Sequence, residues 1–531
     1  LTVFTNGRIF TGKSDHDFES SMEVNDGKIS KIGNSISTDQ EVVDLHGKLV
    51  LPGILDIHTH PKYIADALHG VACTPPNVTS IQDMIQALKH SASAGKSADV
   101  WIEGWGFDET KLAEHRTPTV HDLDQVSTTQ PVFVYRSDCH SSVVNSKALE
   151  LAGITSETPN PENGEIGKFE NGTPNGYLKE VPATQLMIQV KSQQSYQTDV
   201  TNLLNSSSHY LENGIIAIGE MMGRLKPYDS LNLYEDAIKK GFKPEAAIYY
   251  VWDEVKENGL AHFASELEAG KLRIGGLKLF IDGSISGETA WVKKAYPSDP
   301  TNFGVAEATT ADILTAIDFA KAHQLQVAIH AMGDAAVQRV LDATRSITPW
   351  LKDGRPSVRI EHATMLTDDM LDEIKTAEMN YALVTQPIFY FAEYDSYRNF
   401  LSAEQFNECY RIKSMVASGA EVALSSDAPC TPWEKPDSPF VAIQAAVNRK
   451  ASGGELVNPE EAISVGEAIR RYTSLAAPIA GFHELGTLAP GKKADFIVLD
   501  QDLFSVKPAE IGKTQVDQTW MDGQLIYSRG R

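Results

Sequence analysis

Two rhythms of apolar residues divide the chain. Short β-type runs broken by turn signals occupy both ends: Asn6-Gly7 sits between residues 1–5 and 8–10, and Asn25-Asp26-Gly27 precedes 28–32. The tail has the same texture, with Pro490-Gly491 before 494–499 and Asp522-Gly523 joining 518–521 to 524–527 as a hairpin. Between these ends, compact apolar runs alternate with amphipathic helical stretches such as 334–347 and 368–377, as expected for a parallel sheet with crossover helices. Eight such runs stand out: 49–60, 214–220, 246–252, 277–282, 326–330, 358–362, 382–385 and 422–427.

Eight strand–helix units predict an α/β fold, a (β/α)8 (TIM) barrel spanning 51–484. The matching ends predict a small β-sandwich domain formed by both termini, residues 1–50 plus 485–531. The about 150 residues between His60 and Gly214 are too many for one crossover, so a large insertion after the first barrel strand, 61–212, is expected to form a lid or substrate subdomain.

Composition narrows the classes. Of 531 residues, 42% are hydrophobic and 22% charged, a globular balance that excludes disordered and fibrous chains. Asp and Glu outnumber Lys and Arg by 71 to 47, and the resulting −24 disfavours a nucleic-acid partner. No apolar run approaches the roughly 18 residues that span a bilayer, so no membrane partner is expected. Cys73, Cys139, Cys409 and Cys430 are scattered and form no metal or disulfide framework in sequence. The chain opens at Leu1 without a leader pattern. The compartment therefore stays open between cytoplasm and, if a signal peptide was removed, the periplasm or exterior.

Five metal-capable sites fall at or near the C-terminal ends of the predicted strands, where a barrel of this kind builds its active site. In Asp56-Ile57-His58-Thr59-His60 the two histidines point the same way, about 6–7 Å apart along the strand. In the run Lys278 to Asp282, a lysine facing a barrel interior is costly unless paired or neutral. Either it pairs with Asp282, or its amine has captured carbon dioxide, giving a carbamate with an oxygen for each of two cations. His330 and His362 end successive runs, and Asp427 ends the last, where it could also serve as a helix N-cap. Four His, one Lys and one Asp suit one or two divalent ions, zinc above others.

The segments LPGILDIHTH, GWGFDETKLAEHRTPTVHDLD, RSDCHSSVVNSKALELAGI, LKLFIDGSISG, IHAMGDAAV, RIEHA, SSDAP and GTLAPGKKADFIVLD together resemble the amidohydrolase superfamily. Within it the chain is similar to amidohydrolase family 3, which includes the N-substituted formamide deformylases and relatives of D-aminoacylases. The resemblance implies the barrel and terminal β-sandwich, with metal ligands at His58, His60, Lys278, His330, His362 and Asp427. Lys278 would be carbamylated in a binuclear centre. Two positions depart from the pattern: Cys139 stands where glycine is more frequent, and arginine is common near Glu288.

The expected reaction is hydrolysis of a non-peptide carbon–nitrogen bond in a small molecule. Metal-bound hydroxide would attack the carbonyl, with Asp427 as general base and proton carrier. His140, in the insertion, is the second catalytic and substrate-binding candidate. Trp105, Phe107, Trp291 and Phe389, the last within an aromatic run through Tyr390 and Phe391, are candidates for an apolar pocket wall, and Asp282 for a polar contact. Asp56 and Glu361 are candidates for fixing histidine tautomers. A deaminase, an esterase or lactonase, an isomerase, or a metal-free regulatory protein on the same scaffold are the alternatives. The implied partner is a small-molecule substrate, and a homodimer stays open.

Overall fold

The computed structural model describes residues 1–33, 41–191, 195–261 and 270–530. Eight strands form its centre: β1 (Ile54–Thr59), β2 (Ile215–Gly223), β3 (Glu245–Val251), β4 (Leu272–Phe280), β5 (Gln326–Ala331), β6 (Val358–His362), β7 (Tyr381–Thr385) and β8 (Glu421–Leu424). Their order across the sheet is their order in sequence, and every adjacent pair is parallel. Most of these strand residues are buried, because helices such as Ser230–Lys239, Thr310–His323 and Asp334–Thr344 cover the sheet.

β1 and β8 stand at the two ends of that order, and their C-terminal extensions draw them together. Asp427 N donates to the His58 carbonyl (2.8 Å), and His60 N donates to the Ala428 carbonyl (3.0 Å). Between them, Ser426 N and Oγ donate to the Asp56 carboxylate at 3.1 and 2.5 Å. The result is a nearly closed eight-stranded parallel barrel.

Strand boundaries move where glycine reads differently in a sheet than in a sequence. The predicted run 49–60 is two strands broken at Gly53. Leu49–Pro52 joins a terminal sheet and β1 starts at Ile54, since a Cβ on Gly53 would lie 2.5 Å from the Ile216 side chain. β4 starts at Leu272 rather than 277. Gly275 and Gly276 look like breakers, yet they sit within the strand because a Cβ on Gly276 would meet the Gln326 carbonyl oxygen at 2.0 Å. β4 also ends at Phe280 and β8 at Leu424, so Asp282 and Asp427 lie beyond their strands.

The terminal segments form two further sheets, one from both termini and one from the N-terminal segment alone. One has six strands in the order Gln524–Ser528, Val516–Met521, Phe496–Leu499, Leu49–Pro52, Arg8–Phe10 and Phe18–Glu19; the other orders Lys28–Gly33, Ser21–Asn25, Thr2–Thr5 and Glu41–Asp44. Asp522-Gly523 does turn a hairpin, pairing Met521 with Gln524. Asn6-Gly7 instead carries the chain from the four-stranded sheet to the six-stranded one. Phe4, Val24, Val50, Phe496 and Trp520 share one apolar cluster between the two sheets.

The long connection from β1 to β2 contains its own six-stranded sheet, running from Glu165–Lys168 through Pro174–Lys179, Ser142–Val144, Val132–Arg136 and Ile102–Phe107 to Val71–Ala72. Alternation sorts its side chains. Val132 and Val134 pack with the helix Ile81–Lys89, whereas Phe133 packs with the helices Ser146–Ala152 and Glu180–Ile188 on the other face. Buried Arg136 ties this sheet to the barrel loops, donating to Glu109, Asp138 and the Ser286 carbonyl.

The tight β1–β2 contact gives a stability test. A Cβ on Gly219 would lie 2.2 Å from the Ile57 carbonyl oxygen, a backbone atom that cannot yield. Gly219→Ala is expected to destabilise the fold by about 1–3 kcal/mol in chemical denaturation. Gly33→Ala, with nothing within 4 Å, is expected to stay within about 0.5 kcal/mol.

Candidate metal centre and its cavity

The barrel seam brings together the first ligand group. One donor atom from each of His58, His60 and Asp427 lies within 4.8 Å of the others, and all three residues are buried. Asp427 Oδ1 is 3.0 Å from His58 Nε2 and 2.7 Å from His60 Nε2. His60 follows β1 as the N-cap of the helix Pro61–Ala67, and Asp427 adopts a left-handed φ of 54°, which turns it back over the barrel mouth.

Hydrogen bonds determine which ring nitrogens carry lone pairs. His58 Nδ1 meets Glu361 Oε2 at 2.6 Å, which leaves Nε2 as the ring nitrogen that faces Asp427. His362 Nδ1 contacts Gln386 Oε1 at 2.8 Å, leaving Nε2 as acceptor. His330 Nε2 contacts the Gly283 carbonyl at 2.9 Å, leaving Nδ1. The rings are neighbours, with centroids 5.0 Å apart for His58 and His362 and 4.4 Å for His330 and His362. Burial pushes His330 well below the usual histidine range and His362 down to about 3, which keeps both neutral.

Lys278, on β4, lies among these rings. Its Nζ is 3.5 Å from His58 Nε2 and 4.9 Å from the centre of the Phe280 ring. No ion pair with Asp282 forms, and burial lowers the amine's pKa. Burial alone would raise the Asp427 carboxyl, but His58 and His60 hold it well below the ordinary range.

Asp427 Oδ1 lies close to both His58 Nε2 and His60 Nε2, so three donor atoms gather where a cation could bind. His60 Nδ1 is also buried with no hydrogen-bond partner. Imidazoles, a carboxylate and a desolvated amine fit a divalent metal ion.

The glutamate behind His58 is itself held. Arg359, completely buried, donates to both oxygens of Glu361 (2.6 and 3.1 Å), to Tyr249 Oη (3.0 Å) and to the Ile57 carbonyl (3.0 Å). Although burial would raise it, Arg359 and His58 hold Glu361 down at about 2. Asp56 serves the seam rather than a histidine: it accepts from Ser426, and burial raises its pKa to about 7.

A cavity of about 540 Å³ opens over this cluster, lined by His60, Lys278, His330, His362 and Asp427 from the barrel and by His140 from the insertion. His140 Nδ1 contacts Glu180 Oε2 at 3.1 Å, and its ring centroid is 6.4 Å from that of His330. Burial would lower its pKa, but the Glu180 carboxylate outweighs this and pushes it up to about 10. Phe389 lines the cavity and stacks on His362 at 5.9 Å.

The other four candidates lie outside the wall of this cavity. Phe107 is fully buried in the insertion core. Trp105 lines an adjoining cavity and donates Nε1–H to the Ala67 carbonyl. Trp291 lies beneath the Arg339 guanidinium at 4.1 Å. Asp282 is used up by the backbone amides of Trp291, Met332 and Gly333, which a carboxylate past the end of a strand is placed to accept. Conversely, sequence reasoning passed over Glu220, Gln386 and Glu180. Glu220 lies within β2, with Oε1 4.0 Å from His60 Nδ1, and the strand-end rule applied to the other sites would have marked it.

The amidohydrolase family pattern matches residues 41–527. The chain belongs to the amidohydrolase family. It is 27% identical to the N-substituted formamide deformylase of Arthrobacter pascens over 95% of this chain and 93% of that protein. Among solved structures it is similar to a metal-dependent hydrolase of Pyrococcus horikoshii, at 28% identity and a TM-score of 0.75, covering 96% of this chain and 99% of that one. A metal-dependent hydrolase of Pyrococcus furiosus is similar at 28% identity and a TM-score of 0.72, with 95% and 100% coverage. As an amidohydrolase, the protein is a hydrolase acting on carbon–nitrogen bonds.

The Arg359–Glu361–His58 chain makes a testable prediction. Glu361→Gln is expected to weaken metal retention about 10–100-fold, measured as bound metal after dialysis against graded chelator. Glu361→Ala, which strands a buried guanidinium, is expected to cost a further about 3–5 kcal/mol in unfolding free energy.

Proposed function

We propose that this amidohydrolase hydrolyses the non-peptide carbon–nitrogen bond of a small N-formyl, N-acyl or cyclic amide, with one or two zinc-type ions as cofactor. The observation that carries the reading is the convergence of His58, His60 and Asp427 donors, the last two lining a cavity of substrate size. One ion would be held by His58, His60, Lys278 and Asp427, and a second by Lys278, His330 and His362. In the binuclear form Lys278 would be a carbamate, for which its desolvated, unpaired amine is chemically suited. A divalent ion in that place polarises a carbonyl and lowers the pKa of water from 15.7 towards about 7.

The chain's own groups divide the remaining work. Asp427, ionised and at the cavity floor, takes a proton from the attacking water and passes it to the leaving nitrogen. Glu361 and Gln386 keep His58 and His362 in the tautomers that face inward. His140, held as a cation by Glu180, binds the carbonyl oxygen of the substrate as charge develops there. Residues 61–212 serve as the lid that supplies His140, while 1–50 and 485–531 form the β-sandwich outside the site.

Two experiments test this. A panel of N-formyl, N-acyl and cyclic amides assayed with zinc-loaded protein is expected to reveal turnover that Asp427→Asn lowers at least about 10²–10⁴-fold while much of the metal stays bound. Unchanged activity in that variant removes Asp427 as the base. Stripping the metal with chelator is expected to abolish turnover, and adding zinc back to restore it. Turnover that survives complete metal removal defeats the proposal.

A further inference from the structure

Two of the four cysteines have no part in that chemistry yet line its cavity. Cys139 belongs to the insertion, in the turn between the strands Val132–Arg136 and Ser142–Val144, next to His140. Cys430 belongs to the barrel, in the loop after β8, where its N–H donates to the Asp427 carbonyl at 2.9 Å. The two thiols are side-chain neighbours across the junction of these parts. Tyr63 and Tyr135 line the same cavity.

The other two cysteines provide the contrast. Cys73 and Cys409 are packed in separate apolar clusters, their thiols directed at the carbonyls of Val71 and Gln405. Cys139 is partly exposed, and it is the odd residue in its turn. Its φ of 58° lies in the left-handed region, where a side chain costs roughly 1 kcal/mol or more that glycine would avoid. A thiol kept at a glycine-favouring position, beside a second thiol and facing a cavity, is a feature that packing alone does not require.

We propose that Cys139 and Cys430 form a reversible dithiol–disulfide site that links the insertion to the barrel across the active-site cavity. A low-molecular-weight disulfide is the oxidant. The Cys139 thiolate, the more exposed of the two, attacks one of its sulfurs, breaking the small S–S bond, forming a mixed disulfide and releasing one small thiolate, which takes up the Cys430 proton. The Cys430 sulfur then attacks the Cys139 sulfur, breaking the mixed disulfide, forming the protein disulfide and releasing a second small thiolate, which takes up from solvent the proton that Cys139 gave up. Two protein thiols are oxidised and one small disulfide is reduced to two thiols. The bond ties the turn that bears His140 to the loop that bears Asp427 and fixes the insertion against the barrel at the cavity wall.

Peptide mapping of the full-length protein tests this without reference to turnover. After incubation with oxidised glutathione and alkylation of the remaining thiols, tryptic peptides 137–147 and 414–449 are expected as one disulfide-linked species. Two of the four thiols are expected to be lost, and dithiothreitol should return both. Cys139→Ser and Cys430→Ser are each expected to remove the link and leave at most a glutathione adduct on the surviving thiol. Wild type that yields only glutathione adducts, a link through Cys73 or Cys409, or four unmodified thiols overturns the proposal. None of these outcomes depends on the hydrolytic reaction, so the two readings fail separately.

Discussion

The structure turns on the seam where the first and last barrel strands meet. The bond from Asp427 N to the His58 carbonyl draws the end of β8 onto β1, and by the same step sets Asp427 Oδ1 beside two imidazole nitrogens. Closing the barrel and assembling the ligand group are thus one event. The left-handed backbone at Asp427 and the Asp56–Ser426 bonds beneath it belong to that closure. A seam built of hydrogen bonds between irregular residues is weaker than a ladder. It tolerates this because Asp56, Ser426 and their neighbours are removed from competing water.

Behind the ligands is a charged pillar that a barrel interior seldom permits. Arg359 and Glu361 are both fully buried, and each is satisfied: the guanidinium by a carboxylate, a phenol and a carbonyl, the carboxylate by the guanidinium and His58. Such a pair contributes little net stability over apolar packing, since desolvation offsets most of the attraction. Its effect is orientation. It leaves His58 with one available nitrogen and points that nitrogen at the cluster. The insertion makes a matching contribution from above, where Glu180 orients His140 over the same cavity.

Much of this was legible in the sequence for physical reasons that can be named. A fully buried parallel strand must be apolar on both faces, so the eight runs showed themselves, and metal-capable side chains at their ends had no apolar reason to be there. The differences have equally particular causes. The run placed at 277–282 starts at Leu272 because sequence shows Gly275 and Gly276 as missing side chains but not the neighbouring carbonyl that requires Gly276 to lack one. Trp105, Phe107 and Trp291 were chosen for aromatic character, which suits a core, a cavity wall and a cation's underside equally well. Asp282 was read as facing inward with Lys278, but β4 ends between them and strand alternation no longer applies.

What the sequence determined by itself was the inventory: eight barrel strands, β-rich ends, an insertion, and six candidate ligands at strand termini, all set by local patterning of apolar and polar residues. What only the tertiary structure decided was proximity. That Glu361 faces His58, that Gln386 faces His362, that Glu180 faces His140 and that Cys139 meets Cys430 each depend on contacts between residues 24 to 303 positions apart in the chain. Local sequence carries no record of such distances, because they arise only when the ring closes and the insertion folds down upon it.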